Sequence, residues 1–214
     1  MIIAIDGPAG SGKSTVSKLL AEKLGFLYLD TGAMYRALTL KVIREKIDSR
    51  DEKKIESIAA GLNFRFQDGR VFLDNEDVTQ AIRAPQIDKN ISDVCKIKKV
   101  REYIVALARK IARNYSCVTE GRDTTTVIFP AAEFKFYLDA DYKVRAERRY
   151  GELSAKGINI SREEVAADLK RRDEADMSRT VGPLKKSADA QVIDTTAFSI
   201  DEVVRILAEK ITSA

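Results

Sequence analysis

Apolar residues recur along this chain in two rhythms, a short continuous run and a helical spacing, and the alternation between them predicts the layout. Residues 1–6, M-I-I-A-I-D, form an apolar run ending on Asp6. From Lys13 to Leu24 the apolar positions Val16, Leu19, Leu20 and Leu24 fall at helical spacing. F-L-Y-L-D at residues 26–30 predicts a second strand, and Thr31 is placed to cap a helix carrying Met34, Leu38, Leu40, Val42 and Ile43. Further strands are predicted at residues 117–120, 134–138 and 191–194, and the capping box S-I-D-E at Ser199 to Glu202 opens a last helix with Val203, Ile206, Leu207 and Ile211 inward. Strand, glycine-rich loop, helix, strand is the opening of a βαβ unit. It predicts an α/β fold in which helices cover both faces of a parallel sheet.

Two regions break this rhythm. Residues 63–78, N-F-R-F-Q-D-G-R-V-F-L-D-N-E-D-V, alternate apolar and polar positions around Asp68-Gly69, a hairpin signal, and predict an inserted subdomain over about residues 63–98 that Pro85 interrupts. Residues 145–179 are helical in pattern and densely charged, with a second helix starting at the capping box S-R-E-E, Ser161 to Glu164. They read as a mobile arm. The remainder, residues 1–62, 99–144 and 180–214, forms the core of what is read as one chain-long unit.

The 214 residues are 44% hydrophobic and 33% charged, enough to bury a substantial core. Net charge is only +4, but the arginines gather between Arg101 and Arg179. Because guanidinium matches the planar oxygens of carboxylate and phosphate, this clustering points to small anionic ligands more than to bulk nucleic acid. Histidine is absent, which removes imidazole triads, His metal clusters and imidazole acid/base chemistry. Cys95 and Cys117 are isolated and read as small apolar residues of a reduced compartment. No stretch approaches a membrane span. The leading M-I-I-A-I-D lacks the basic start of a signal sequence, so the expected location is cytoplasmic.

Gly7 to Ser14, G-P-A-G-S-G-K-S, matches the phosphate-binding P-loop at every fixed position and stands between a predicted strand and a predicted helix. Along Gly7, Pro8, Ala9, Gly10, Ser11, Gly12, Lys13, Ser14 and Thr15, main-chain amides turned inward meet phosphates, and the helix start adds its positive end. Lys13 reaches toward the β- and γ-phosphates and the Ser14 hydroxyl toward Mg²⁺. The inserted hairpin and the arginine-rich arm are parts that a small-molecule kinase needs, an acceptor pocket and a cover against water, so a kinase is favoured over a GTPase or motor.

D-T-G-A-M-Y-R at 30–36, G-P-A-G-S-G-K-S-T at 7–15 and E-G-R-D-x-x-T-V-I-F-P at 120–130 resemble the bacterial cytidylate kinase family. The likeness continues through V-R-E at 100–102, R-R-D-x-x-D-x-x-R at 171–179 and S-A-D-A-x-x-I-D-T-T at 187–196, nearly the whole chain. It implies a P-loop NTPase fold, a three-layer α/β/α arrangement on a parallel five-stranded sheet, with an inserted NMP-binding subdomain and a helical lid. The reaction implied is transfer of the γ-phosphate of ATP to CMP or dCMP with Mg²⁺. The residues themselves, with no large exposed apolar stripe, lead us to expect a monomer that binds neither nucleic acid nor membrane. By resemblance Arg122 faces the acceptor phosphate and Asp123 accepts from the exocyclic amine of cytosine, where the carbonyl of uracil would be repelled. Arg36 and Arg179 clamp phosphate, Thr31 and Tyr35 line the acceptor pocket, Ser92 and Arg101 contact the base, and Arg172 and Asp176 read the ribose. Arg145, Arg148 and Arg149 are lid arginines, of which at most two reach the phosphates; Arg145 and Arg149 are taken as catalytic with Lys13 and Arg122.

Either Asp6 or Glu120 is available to order magnesium waters, and the sequence does not choose. The family commonly has glycine where this chain has Thr125, which would strain a threonine if that position has positive φ. Two other readings stand beside this one: a related P-loop kinase for UMP, AMP or a small alcohol, and a nucleotide-gated RNA-binding protein.

Overall fold

The computed structural model of the protein describes residues 1–67 and 69–213. It divides into two compact units, residues 1–28 with 115–214 and residues 29–114.

The first unit is built on the parallel sheet. β1 (Ile2–Asp6) pairs in parallel with β6 (Cys117–Gly121), Ile2 opposite Cys117 and Asp6 opposite Gly121, and on its other side with β7 (Phe134–Asp139). β7 in turn pairs with β8 (Gln191–Asp194), and β2 (Leu27–Asp30) completes the order β2-β6-β1-β7-β8. β6, β1 and β7 are the interior strands; β1 and β6 are buried almost throughout, β1 as an apolar run that ends on Asp6 and β6 with Thr119 and Glu120 buried among its residues. The edge strand β8 turns only Ile193 inward.

α1 (Lys13–Leu24) and α8 (Ile200–Thr212) pack on each other, and Val16, Leu20, Val203, Leu207 and Ile211 join Ile3, Ile5, Val118, Phe136 and Leu138 in one core. Each fully buried aliphatic side chain of this kind stabilises the fold by about 1.5–3 kcal/mol. α6 (Tyr142–Ala155) and α7 (Arg162–Ser178) pack together. The expected capping boxes form at both Ser161 and Ser199, each hydroxyl accepting from the amide three residues on.

The second unit holds α2 (Thr31–Arg44), α3 (Glu52–Ala60), α4 (Pro85–Lys96) and α5 (Lys98–Ala112) around Met34, Leu38, Ile55, Ile82, Ile87 and Ile104. The predicted hairpin is β3 (Phe64–Gln67) against β4 (Arg70–Leu73), with Phe64 opposite Leu73. Asp68 of the turn lies outside the described residues; Gly69 takes φ 71°, as such a turn requires. A third short strand, β5 (Glu76–Asp77), extends the pair. Two expectations are corrected here. Pro85 does not interrupt an element but opens α4, where its missing N–H is not needed. The cap of α2 is Asp30, whose Oδ1 accepts from Ala33 N at 2.8 Å, and Thr31 is the first helical residue.

Candidate functional site

The P-loop follows β1 and turns at two glycines with left-handed backbone, Gly10 at φ 74° and Gly12 at φ 85°. Gly12 caps α1 without a side chain, so the first amides of the helix keep their positive end open to a ligand. Lys13, only 5% exposed, folds back and donates from Nζ to Pro8 O at 3.0 Å. Burial pushes its ammonium down to about 7, Arg122 and Arg172 add to the effect, and Glu120 and Asp176 oppose it. A desolvated cation of this kind is paired best by incoming phosphate.

Two carboxylates end neighbouring strands beside this loop, and they have different occupations. Asp6, fully buried, accepts from Thr124 N and Thr125 N at 2.8 Å each and from Thr125 Oγ1 at 2.6 Å. Burial pushes its carboxyl above the usual range even against those bonds. Its oxygens anchor the π-helical turn Thr124–Ile128. Glu120, at the end of β6, accepts from Ser14 Oγ at 2.8 Å.

Arg122 lies just beyond Glu120 and donates from Nε to Asp176 Oδ2 at 2.5 Å. Arg179 donates to the other oxygen of the same carboxylate. Although burial would raise it, Asp176 is held below the usual carboxyl range by Arg122 and Arg179. α7 ends at Ser178, so Arg179 reaches Asp176 from the residue after the helix rather than from a further turn of it. Asp123, 4% exposed, starts the π-helical turn, its carbonyl accepting from Val127 N at 2.8 Å.

The three lid arginines separate. Arg145 Nη1 donates to Ala9 O at 2.9 Å and to Asp173 Oδ2 at 2.6 Å, while its Nε donates to Ala140 O at 3.1 Å. Arg148 donates to Thr195 Oγ1 and O at 3.0 and 2.7 Å. Arg149 donates to Glu152 at 3.0 Å. Beside the loop a cavity of about 240 Å³ is lined by Gly12, Thr15, Arg148, Thr195, Phe198 and Val203, among others. Its apolar wall and polar rim suit a flat heteroaromatic base.

In the second unit, Arg36 donates to Asp88 Oδ1 at 2.6 Å and to Ile82 O at 3.2 Å. The guanidinium of Arg101, 2% exposed, stands 5.5 Å from the centre of the Tyr35 ring and donates to Cys95 O. Thr31 is buried at the start of α2, and Ser92 is exposed on α4.

The model of the family described as cytidylate kinase matches residues 3–213. The chain belongs to the cytidylate kinase family. It is 46% identical over 211 residues to the cytidylate kinase of Clostridioides difficile (strain 630), covering 99% of this chain and 98% of that one. It is 50% identical over 209 residues to the cytidylate kinase of Caldanaerobacter subterraneus subsp. tengcongensis, covering 98% and 93%. Among solved structures, an uncharacterized protein from Eubacterium ventriosum superposes with a TM-score of 0.58 at 15% identity, over 100% of this chain and 99% of that one, a likeness of fold.

For a cytidylate kinase family member with threonine at position 125, the strain expected there is absent. Among the described non-glycine residues positive φ occurs at Lys46, Asp74 and Asn75, and the Thr125 hydroxyl makes a bond to Asp6 that glycine lacks. Sequence reasoning passed over Asp173, Thr195 and Phe198. The first two stand inside the R-R-D and D-T-T blocks, but nothing local shows what they touch.

Proposed function

We propose that the protein transfers the γ-phosphate of ATP to CMP or dCMP, yielding ADP and CDP or dCDP. What carries this reading is the meeting of an intact P-loop with a guanidinium cluster at one buried lysine: Lys13 feels Arg122 and Arg172 on one side and Glu120 and Asp176 on the other. Family membership over residues 3–213 names the acceptor class.

The main-chain amides of Gly7 to Thr15 and the ammonium of Lys13 hold the triphosphate, with its base in the cavity beside Arg148 and Thr195. Asp123 accepts from the amine of cytosine, supported by Ser92 and Arg101, and Tyr35 and Thr31 line the acceptor. Arg36, Arg122 and Arg179 take its phosphate; Arg172 and Asp176 take its ribose. A phosphate oxygen of the acceptor attacks the γ-phosphorus as the bond to the ADP oxygen breaks, and no covalent enzyme intermediate forms. Charge spread over the transferring group is met by Lys13, Arg122 and Arg149 in place, which is where most of the acceleration arises. Arg145 supports the loop that holds the donor. The segments 63–98 and 145–179 serve as acceptor-binding insert and lid.

Ser14 Oγ and Glu120, 2.8 Å apart, are hard oxygen donors at the mouth of the loop and suit Mg²⁺, which takes one or two protein oxygens and leaves the rest to water and phosphate. Asp6 is the poorer candidate because Thr124 and Thr125 occupy its oxygens. When bound, the ion neutralises charge on the β- and γ-phosphates. Among the described residues no helix is long and apolar enough to cross a membrane. We place the protein in the cytoplasm, as a monomer that does not bind nucleic acid.

The test is ADP release from ATP and magnesium with CMP, dCMP, UMP, AMP or no acceptor. CMP and dCMP are expected to be turned over far faster than UMP and AMP, and Asp123→Asn to narrow the gap between CMP and UMP by at least tenfold. Equal rates for all acceptors, or ATP use that ignores them, refutes the reading.

A further inference from the structure

We propose that Asp173 is a positioning residue of the donor site: with Arg145 it holds Ala9 of the P-loop at both main-chain groups and so ties that loop to α7, the helix carrying Arg172 and Asp176. The proposal rests on the kinase reading above and deepens it.

The geometry is specific to one residue of the loop. Asp173 Oδ1 accepts from Ala9 N at 3.1 Å, and its Oδ2 accepts from Arg145 Nη1 at 2.6 Å. The same Nη1 donates to Ala9 O at 2.9 Å. The carboxylate and the guanidinium therefore bracket a single residue, and both are almost closed to water, 7% and 8% exposed. Taking two such charges out of water costs several kcal/mol each unless bonds replace the lost hydration. Here the replacement is made on the loop itself and on Ala140 O.

The adjacent residues explain what the bracket controls. Pro8, immediately before Ala9, offers the carbonyl that receives Lys13 Nζ. Gly10, immediately after, lies so close to α6 that a Cβ there would come within 3.0 Å of Arg145 O and 3.2 Å of its Cβ. Fixing Ala9 thus fixes the peptide that aims the phosphate-binding lysine, and it fixes the loop before any ligand arrives. Loop amides that need no reorganisation bind and stabilise phosphate better than mobile ones. On α7, Asp173 and Asp176 are three residues apart and share a face, so the helix that steadies the donor loop also presents the carboxylate that Arg122 and Arg179 grip.

Asp173→Ala removes both bonds; Asp173→Asn keeps an acceptor for Ala9 N but withdraws the charge from Arg145. Affinity for a non-hydrolysable ATP analogue, measured by calorimetry on folded protein, is expected to fall at least tenfold in the alanine variant and about threefold to fivefold in the asparagine variant. In CMP phosphorylation the KM for ATP should rise in step, with kcat less affected. Analogue affinity within twofold of the parent in either folded variant, with only the melting temperature lowered, would mean an ordinary structural ion pair and overturn the proposal. If the alanine variant does not fold, the asparagine variant decides by the same threshold. A parent protein that binds the analogue but ignores CMP would sink the acceptor assignment while leaving this test intact.

Discussion

At position 125 one hydroxyl changes how a buried carboxylate is held. Asp6 ends β1 with no exposure, and of its three bonds the one from Thr125 Oγ1 is the shortest at 2.6 Å. Thr125→Gly leaves both amide bonds in place, removes this one and loosens the unfolded chain. A hydrogen bond to a charged group contributes about 1.5–3 kcal/mol and the glycine freedom takes about another 0.5–1. We expect a loss of about 2–3 kcal/mol in urea unfolding, with ATP affinity within threefold of the parent. No loss of stability would show that the hydroxyl bond is idle. The sequence flagged this position for the wrong reason, strain, because backbone conformation at a single residue depends on the turn around it. Here that turn is set by a carboxylate more than a hundred residues upstream.

The element that defines the site is the join of β1 to α1, and its tolerances are uneven. At Gly7 an added Cβ would stand 2.2 Å from Leu138 O, a main-chain atom of β7 that cannot swing aside. At Gly151, inside α6, an added Cβ meets nothing within 4 Å. Gly7→Ala is therefore expected to destabilise the protein by at least about 2 kcal/mol and to weaken ATP binding, as overpacking does. Gly151→Ala is expected to stabilise by about 0.5–1 kcal/mol through helix propensity alone. Thermal unfolding checks both, and a Gly7→Ala protein as stable as its parent would contradict the close strand contact. The P-loop pattern asks for glycine at the first position, but only the neighbouring strand supplies the steric reason.

For the molecule as a whole, the buried lysine links stability to pH. Lys13 has its ammonium pushed from 10.5 to about 7 by burial, so between these values the unfolded chain carries a proton that the folded one has released. Stability from this group therefore rises as pH climbs through that window, by at most about 1.4 kcal/mol per pH unit, and its cost is greatest below pH 7. Urea unfolding of the parent and of Lys13→Met at pH 6.5, 7.5 and 8.5 isolates the effect: the parent should gain on the variant as pH rises. Saturating ATP should flatten the difference, because phosphate holds the proton on. A pH-independent difference without nucleotide would show that the lysine stays charged when free.

From the order of residues alone came the parallel sheet, the phosphate-binding loop, the hairpin, both capping boxes and the family. These depend on local periodicity and on spacing within a few residues, which sequence records directly. Helices α3, α4 and α5 and the third strand β5 escaped it: α3 and β5 are short, α4 falls in the segment that the hairpin signal drew into one inserted unit, and α5 follows directly on it. Only the folded chain decided which carboxylate faces Ser14, that Arg145 grips Ala9 rather than standing free, and that Asp173 and Thr195 belong beside the loop. A charged side chain shows in sequence that it needs a partner. For Asp173 the partners come from segments 28 and 164 residues away, brought alongside by the packing of the sheet and its helices.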